Sequence, residues 1–346
     1  MRLSLRADNA VEWLALRARL VPTPAAQAWG GLALSGALLA GVRTGLFARL
    51  AAGPAGADEL LRALGLDPVG GRLLLDCLVS AGHLTRHGDV YRLTRASARW
   101  LDPGAPLSVT RFVAATEDYW DWWPRLPEAL RAGTGVRSHD TDPDDGYWRR
   151  YITGQYELAR LSAGEVARCV RVPRGARDLL DVGGGHGWYT VRLCRRHPRL
   201  AATVLDLPGS ARVGRELVAG SDVADRVTFR EGDALTADLG TGRDLVLCFN
   251  LLHHLDPEQI GALLSRIRAA LAPGGTVAIL DAFSRPGRRP HPSAAALGLF
   301  MYLSSGAREY TQPQLYRWLH RAGFGRPRRT PVRRIPGLAV YQAAVA

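Results

Sequence analysis

The spacing of hydrophobic and polar positions differs between the first and the second part of the chain. From residue 5 to about residue 101, apolar residues recur at the spacing of helices, as between Val11 and Leu20. From about residue 177, short apolar runs alternate with helical segments, which is typical of a doubly wound, largely parallel sheet. The pattern therefore predicts an α/β protein with an all-helical region ahead of its sheet.

The strands of that sheet are predicted from short apolar runs bounded by glycine, proline and charged residues. They cover Asp178–Val182, Ala202–Leu205, Val227–Phe229, Leu245–Phe249 and Thr276–Leu280, with two more near 329–333 and 338–345.

One predicted N-terminal helix has almost no polar face. The run from Trp29 to Val42 contains four glycines, one serine and no charged residue. Such a helix must be buried on all sides, and contact with a second subunit is one way to bury it. At 14 residues the run is shorter than the ~18 residues of a membrane span, and Asp8 and Glu12 interrupt the N-terminus. Neither a membrane span nor a signal peptide is predicted.

Residues 57–94 have the pattern of a winged helix, with a helix at 57–64, a second at 70–81 and a hairpin at 83–94. Many winged helices bind DNA. Here the second helix carries only Arg72 and Asp76, and residues 55–100 hold six Arg against five acidic residues. A surface this balanced offers little to a phosphate backbone, so the unit is interpreted as an architectural, dimer-forming module.

The segment that follows is rich in aromatic residues. Five of the nine tryptophans lie between Trp100 and Trp148. Most of these rings fit an ordinary helical core, and a few fit the lining of a pocket for a flat organic substrate. We therefore predict a helical and winged-helix domain at 1–101, a helical linker that lines the pocket at 102–176, and a sheet domain at 177–346.

Composition narrows the function classes. Of the 346 residues, 45 are Arg and none is Lys, against 32 acidic residues, which gives a formal charge of +13. Residues 285–346 hold 11 of those Arg and one acid, Glu309. Because the excess lies in one C-terminal segment, nucleic-acid binding is not predicted. The four cysteines stand singly without zinc spacing, so no metal site or disulfide framework is predicted, and a reducing cytoplasm fits.

A glycine-rich motif carries the first chemical signal. It reads DVGGGHG from Asp181 to Gly187, directly after the first predicted strand and before a helix. Glycines at such a turn let a ligand approach the backbone at the helix N-terminus. A nicotinamide-binding fingerprint would require a third glycine where Trp188 stands, so a different nucleoside ligand is indicated.

Two acids follow the next two strands. Asp206 stands 19 residues after Gly187 and is placed to accept hydrogen bonds from ribose hydroxyls, and Asp233 can accept one from an adenine amine. A glycine-rich loop with these two acids suits an adenosine ligand without phosphates, and S-adenosylmethionine is such a ligand.

On these motifs, together with VLDLP, EGDAL and APGG, nearly the whole chain resembles class I methyltransferases of the small-molecule O-methyltransferase family, which includes caffeic acid and acetylserotonin O-methyltransferases. The resemblance implies a homodimer formed through the N-terminal domain, a substrate pocket between the domains, and S-adenosylmethionine as cofactor. The implied cofactor-binding residues are Asp181, Gly183, Gly185, Gly187, Asp206, Leu207, Asp233, Ala234, Phe249 and Asn250.

The resemblance also implies a catalytic segment at Leu252–Glu258. His253 matches the general base of the family, and imidazole suits that role because it titrates near neutral pH. Asp281 and Glu309 match the two acids that flank this histidine and would fix its tautomer. His254 is an alternative base.

Alignment with the family places six residues in the substrate pocket. They are Tyr151, Gln155, His254, Phe300, Met301 and Ser304. The expected reaction is O-methylation of a hydroxyl on a small aromatic natural-product intermediate. His254-Leu255 replaces the family's Asp-Trp and Phe249 a usually basic residue, so methylation of carbon or nitrogen, decarboxylation and hydroxylation stay open. A DNA-binding regulator with a cofactor-sensing domain is the third hypothesis.

Overall fold

The computed structural model describes residues 7, 9–284, 287, 292–335 and 337–346. It divides into two compact units, residues 1–117 and 118–346, so the aromatic-rich segment 102–176 is shared between them. The first residues of the predicted helical region, and Arg285, Arg288 and Arg289 of the basic C-terminal segment, lie outside the described residues.

The first unit is helical with one small sheet. Its helices are α1 (Ala10–Arg17), α2 (Thr23–Arg43), α3 (Leu46–Ala51), α4 (Ala57–Ala63), α5 (Pro68–Ser80), α6 (Arg95–Trp100) and α7 (Thr110–Ala115), and α8 (Glu117–Trp122) crosses into the second unit. Its strands are β1 (Ala55–Gly56), β2 (Leu84–His87) and β3 (Val90–Leu93), in the order β1-β3-β2.

The predicted winged-helix pattern is confirmed. Asp67 caps α5 by accepting a hydrogen bond from the Gly70 N–H at 2.7 Å, and Pro68 occupies the first turn, where its missing N–H costs nothing. Strands β2 and β3 pair His87 with Val90 across a two-residue turn, and Gly88 in that turn has φ +60°.

Helix α2 exposes the large apolar side chains of its first half, whereas Leu38 and Val42 in its second half pack partly against the core. Only Gly41 is buried on it, whereas Trp29 is 77% and Leu32 is 61% exposed. The helix has 21 residues and a hydropathy of 1.3, so by length and composition alone it could cross a membrane. The helix is longer than the 14-residue run from Trp29 to Val42, and the length of that run was the reason for predicting no membrane span. An exposed apolar face of this size is typical of a surface that contacts a partner.

The second unit carries the main sheet. Its remaining helices are α9 (Leu126–Ala132), α10 (Gly146–Cys169), α11 (Trp188–Arg196), α12 (Pro208–Ala219), α13 (Pro257–Ala270), α14 (Pro292–Ser305) and α15 (Gln312–Arg321). Its strands are β4 (Asp178–Val182), β5 (Ala201–Asp206), β6 (Val227–Glu231), β7 (Arg243–Phe249), β8 (Leu271–Ser284), β9 (Tyr310–Thr311), β10 (Arg328–Pro331) and β11 (Leu338–Ala344).

The sheet is doubly wound, as predicted. Its order is β10-β11-β8-β7-β4-β5-β6, with β9 paired to the end of β8. Strands β6, β5, β4, β7 and β8 run parallel, and β11 is antiparallel to β8 and β10. The chain enters the sheet at β4 and winds outward in both directions, which opens a crevice at the carboxyl end of β4.

Helices cover both faces of this sheet. In β4, Leu179 packs into a core with α10, α11 and α12, whereas Leu180 packs into the opposite core with α13 and α15. Both leucines are fully buried. Because both faces are covered, the central strands are apolar at nearly every position, which is why their runs were legible in the sequence.

Candidate functional site

The candidate residues of the second unit gather at the carboxyl ends of the parallel strands. The glycine-rich turn follows β4, Asp206 ends β5, Asp233 follows β6, His253 follows β7, and Asp281 lies near the end of β8. Open α/β sheets bind ligands at this edge, in the crevice beside the strand where the winding reverses. The predicted cofactor side and the predicted catalytic side therefore meet in one crevice.

The glycine-rich turn needs its glycines for two separate reasons. Gly183, Gly185 and Gly187 all have φ between +52° and +69°, the left-handed region that disfavours side chains. Space is also limiting, because a Cβ on Gly187 would lie 2.8 Å from the ring of Phe229. Helix α12 approaches so closely that a Cβ on Gly214 would lie 2.2 Å from the carbonyl oxygen of Gly185.

Asp206 is tied to this turn by the main chain. Its Oδ2 accepts a hydrogen bond from the Gly185 N–H at 2.6 Å, and its Oδ1 accepts one from the Leu207 N–H at 2.7 Å. Burial raises the pKa of this carboxyl. Each ionised carboxylate oxygen can accept a further hydrogen bond, so the pair of oxygens remains able to receive two hydroxyls.

Asp181 is buried with one oxygen unused. Its Oδ2 accepts a hydrogen bond from the Thr190 hydroxyl at 2.6 Å, and its Oδ1 has no hydrogen-bond partner among the described residues. Burial raises the pKa of this carboxyl to about 6. An orphaned buried carboxylate oxygen is costly and needs an explanation, and a positively charged ligand group would supply one.

Asp233 lies at the solvent-exposed rim of the crevice. Its Oδ1 accepts a hydrogen bond from the Leu235 N–H at 2.8 Å, which shapes the loop after β6. The neighbouring Ala234 is half-buried, and its carbonyl oxygen accepts a hydrogen bond from Arg266 on α13.

His186, inside the glycine-rich turn, has a role that the sequence analysis did not assign. Its Nδ1 accepts a hydrogen bond from the Trp188 N–H at 3.0 Å, at the start of α11. Burial lowers the pKa of His186 to about 4, so the ring is neutral and can act as this acceptor. The motif marks the turn, but it does not reveal which side chain completes the helix N-terminus.

On the catalytic side, His253 is held by Asp281. Its Nδ1 lies 2.9 Å from Oδ1 and 3.0 Å from Oδ2 of that carboxylate, and its main-chain N–H donates to Oδ2 at 3.3 Å. The contact requires the proton on Nδ1, because a carboxylate only accepts. Nε2 is buried and without a hydrogen-bond partner among the described residues, so its lone pair is not committed to the protein.

The turn after β7 sets this geometry. Asn250 has φ +51°, an uncommon conformation for a residue with a side chain, and its N–H donates to the Leu280 carbonyl at 2.7 Å. Phe249, the last residue of β7, is buried with its ring 5.4 Å from that of Tyr189. This aromatic packing takes the place of a basic group at that position.

Glu309 does not join the pair. It is exposed, and within the described part of the chain it makes no hydrogen bond or ion pair with His253. Its neighbour Arg308 donates its main-chain N–H to the carbonyl oxygen of His253 at 3.0 Å. The segment therefore reaches the histidine through the main chain, while the Glu309 carboxylate lies toward solvent.

His254 stands next to His253, with ring centroids 4.1 Å apart. Its Nδ1 lies 2.8 Å from the Ser305 hydroxyl, and that hydroxyl also donates to the Met301 carbonyl at 2.9 Å. A hydroxyl has one proton; with that proton given to the Met301 carbonyl, Ser305 accepts from the His254 Nδ1–H, and this is the tautomer we assign. Burial, with His253 and His139 nearby, lowers the pKa of His254 well below its usual value, so the neutral ring leaves its Nε2 lone pair free.

A third histidine, His139, was missed because nothing in the sequence links its surface loop to the crevice. Its ring lies edge-on to His254 at 4.9 Å and stacks on Trp148 at 5.9 Å. Burial lowers the pKa of His139 to about 4. Among the described residues, no group of three or more His, Cys, Asp or Glu side chains is arranged to hold a metal ion.

The chain directly before His139 is anchored at two points. Val136 donates its N–H to the Leu303 carbonyl of α14 at 2.6 Å, and Ser138 accepts a hydrogen bond from the Tyr147 hydroxyl of α10 at 3.2 Å. Arg137 between them has φ +56°, a strained conformation that these anchors hold in place.

Aromatic rings surround the remaining predicted pocket residues. Phe300 lies 4.4 Å from Tyr119 and stacks on Trp122 at 6.2 Å, while Tyr151 lies 5.1 Å from His139. The other three predicted residues lie on the same two helices. Gln155 is half-buried on α10, Met301 accepts hydrogen bonds from Ser304 and Ser305 through its carbonyl oxygen, and Ser304 is buried on α14.

Comparisons with known proteins cover both units. Residues 26–103 match the O-methyltransferase dimerisation domain and residues 132–325 match the O-methyltransferase domain. The chain is 31% identical to 3-hydroxy-5-methyl-1-naphthoate 3-O-methyltransferase of Streptomyces sahachiroi, over 85% of this chain and 86% of that protein. It is 34% identical to tetracenomycin polyketide synthesis 8-O-methyl transferase of Streptomyces glaucescens, over 86% and 90%.

The fold is shared with solved structures. Human N-acetylserotonin methyltransferase in complex with S-adenosylmethionine is similar with a TM-score of 0.83, covering 98% of this chain and 99% of that chain at 21% identity.

Proposed function

Because the chain belongs to the O-methyltransferase family and depends on S-adenosylmethionine, we propose that it methylates a hydroxyl of a small aromatic natural-product intermediate with His253 as general base. One observation carries the assignment of the base. The His253 Nδ1 proton is committed to Asp281 at 2.9 Å, while Nε2 is buried and has no partner within the described residues. That arrangement leaves one lone pair able to take a proton.

The residues at the ends of β4, β5 and β6 fit the cofactor. The orphaned Oδ1 of Asp181 suits the cationic methionine end, the two oxygens of Asp206 suit the ribose hydroxyls, and Asp233 suits the adenine amine. The turn without side chains at Gly183, Gly185 and Gly187 suits close approach of a ligand to the main chain at the N-terminus of α11. When bound, S-adenosylmethionine supplies a methyl group on a positively charged sulfur, which is the electrophile of the reaction.

His253 acts on the acceptor. As the hydroxyl oxygen forms its bond to the methyl carbon, the hydroxyl proton passes to Nε2, and the products are a methyl ether and S-adenosylhomocysteine. Asp281 stabilises the imidazolium that forms, because its carboxylate already accepts the Nδ1–H. Positioning of donor and acceptor contributes the larger part of the rate.

The class of acceptor follows from the relatives and from the pocket. The two bacterial relatives are named for a naphthoate and for a tetracenomycin polyketide, which are flat aromatic compounds. The aromatic side chains of Tyr151 and Phe300 on α10 and α14 suit the faces of such a ring system.

Assembly and location follow the same reasoning. The exposed apolar face of α2 falls inside the segment that matches the dimerisation domain, so we infer a homodimer in which a second copy covers that face, rather than a membrane. Free cysteines at 77, 169, 194 and 248 suit the reducing cytoplasm. Partners other than the acceptor and the second subunit, including nucleic acid, are not expected.

The base is tested by His253→Ala. We expect turnover to fall by about 100- to 10,000-fold, the usual contribution of a general base, while cofactor affinity measured by calorimetry stays within about threefold. The reaction is followed with S-adenosylmethionine that carries a labelled methyl group. Full turnover in the variant would contradict proton removal by His253, and an unlabelled product from the unaltered protein would instead indicate decarboxylation or hydroxylation.

A further inference from the structure

The candidate site contains one more proton acceptor than a single hydroxyl needs. The first is Nε2 of His253. The second is Nε2 of His254, which is left unprotonated because the Nδ1–H of that ring donates to Ser305, whose own proton goes to the Met301 carbonyl. The Asp281 carboxylate fixes the tautomer of His253, and the Ser305 hydroxyl fixes the tautomer of His254.

The two acceptors are neighbours. The rings of His253 and His254 lie 4.1 Å apart with a 49° angle between their planes. They belong to consecutive residues, and each ring is fixed by a hydrogen bond through its own Nδ1. Because the two rings are neighbours, one ligand with two nearby donors can reach both acceptors, whereas an isolated hydroxyl can serve only one of them.

His254 is also enclosed. The ring of His139 lies edge-on to it at 4.9 Å, and His139 in turn stacks on Trp148 at 5.9 Å. No hydrogen bond of the His254 Nε2 to another described residue accompanies these ring contacts. An acceptor without a protein partner beside these rings favours a ligand that donates to it.

We propose that the acceptor carries two hydroxyls on neighbouring positions of its aromatic system, one donating to His253 and undergoing methylation, the other donating to the His254 Nε2. This inference rests on the proposed function for the identity of the methylated group. It makes His254 a specificity-determining residue, and it gives a physical reason for the histidine that stands where the family has an aspartate. Ser305 is then the positioning residue that fixes the tautomer of His254.

The test compares diols with matching single hydroxyls. The probes are 2,3-dihydroxynaphthalene against 2-naphthol and 1,2-dihydroxynaphthalene against 1-naphthol. Affinity is measured by calorimetry with the full-length protein saturated with S-adenosylhomocysteine. We expect at least one diol to bind about ten- to hundredfold more tightly than its partner, because the single hydroxyl leaves one of the two acceptors unmatched.

Variants assign the preference to a residue. His254→Ala should reduce the ratio of the two affinities to near one, His254→Asn should restore part of it because an amide oxygen also accepts, and Ser305→Ala should lower it by a smaller factor. Affinity for S-adenosylhomocysteine in each variant reports whether the fold is intact. Recovery with Asn separates recognition from a merely structural role.

Two results would overturn the inference. One is a wild-type preference below about threefold for both pairs, and the other is an equal loss of diol and single-hydroxyl affinity in His254→Ala. Labelled methyl transfer is followed in parallel on the same compounds. A diol preference without any labelled product would contradict the proposed function and leave the recognition of two hydroxyls standing.

Discussion

Two sides of the crevice are held by different kinds of contact: the cofactor side, at the ends of β4, β5 and β6, and the acceptor side, at His253, His254 and Asp281. On the cofactor side the main chain decides the geometry, since Asp206 is held by two N–H groups and the turn closes on glycines without room for a side chain. On the acceptor side, side chains decide it, through the contacts of His253 with Asp281 and of His254 with Ser305. The first kind of site suits an invariant ligand, and the second can change specificity by single substitutions.

The largest effect on turnover should come from changing the hydrogen bond between Asp281 and His253 without changing the volume of the side chain. Asp281→Asn keeps the volume of the buried side chain but can donate a proton to the His253 Nδ1, which would move the imidazole proton onto Nε2 and remove the lone pair. We expect turnover to fall by about 100- to 10,000-fold with acceptor present. Initial rates with labelled cofactor measure it.

The cofactor side should be unaffected by that change. Asp281 makes its described hydrogen bonds to His253 and to the Ala282 N–H and none to the glycine-rich turn. Affinity for S-adenosylhomocysteine in Asp281→Asn should therefore stay within about threefold of wild type. A parallel loss of cofactor affinity would mean that the two sides are not independent.

The second prediction concerns the close contact between helix α12 and the main chain of the glycine-rich turn. In Gly214→Ala the new methyl group would lie 2.2 Å from the Gly185 carbonyl oxygen, and a main-chain atom cannot move aside alone. The turn has to shift to relieve this contact and then presents its main chain to the cofactor in the wrong place, so we expect cofactor affinity to fall about ten- to hundredfold. Calorimetry with S-adenosylhomocysteine measures it.

The matched control lies at the end of the same helix. Gly220, the C-cap of α12, has φ −87° and nothing within 4 Å of its would-be Cβ, so Gly220→Ala should bind the cofactor normally. Equal losses in the two variants would show that the helix, and not its contact with the turn, controls binding.

The same contrast explains how much could be predicted from the sequence. The strands could be predicted because strands buried on both faces form apolar runs without alternating polar residues. The glycine-rich turn could be predicted because its left-handed backbone conformation favours glycine. Asp206 followed from spacing. These features depend on local chain geometry, which a sequence encodes directly.

The acceptor side was only partly predictable. Resemblance supplied His253 and Asp281, which the structure brings to 2.9 Å, but the exposed position of Glu309 could not be inferred because it depends on how the segment after α14 turns. His139 gave no signal, since its place beside His254 depends on anchors to two distant helices. Contacts between remote side chains are the part that one sequence does not specify.

The third prediction separates the two sides by pH. The pKa of Asp181 is raised to about 6 by burial, so this carboxyl is protonated in the free protein at pH 5 and ionised at pH 7. A cationic ligand favours the ionised form, so affinity for S-adenosylmethionine should rise about tenfold from pH 5 to pH 7. Calorimetry at both pH values measures it, and Asp181→Asn should flatten the dependence.

The contribution of Asp181 to the stability of the ligand-free protein should change in the opposite direction. Because the folded pKa of Asp181 lies above its ordinary value of 3.8, the folded state holds a proton that the unfolded chain has lost. This contribution to stability is present below pH 4 and disappears as the pH rises through 6. On the acceptor side, burial lowers the pKa of His139 to about 4 and that of His254 well below its usual value, so the unfolded chain binds protons that these folded rings do not. Their contribution to stability therefore rises with pH up to about 6.5 and opposes that of Asp181.

The smallest effect should come from a histidine on the cofactor side, because His186 uses its nitrogen to satisfy the main chain rather than a ligand. Loss of the hydrogen bond from the Trp188 N–H in His186→Ala removes a cap from α11, and we expect the free energy of unfolding to fall by about 1 kcal/mol. His186→Asn offers an amide oxygen near the position of Nδ1 and should recover most of it in urea titrations. If His186→Ala and His186→Asn lost equal stability, the packing of the ring and not its hydrogen bond with the Trp188 N–H would stabilise the protein. The contrast between the histidines of the two sides would then be smaller than their hydrogen bonds indicate.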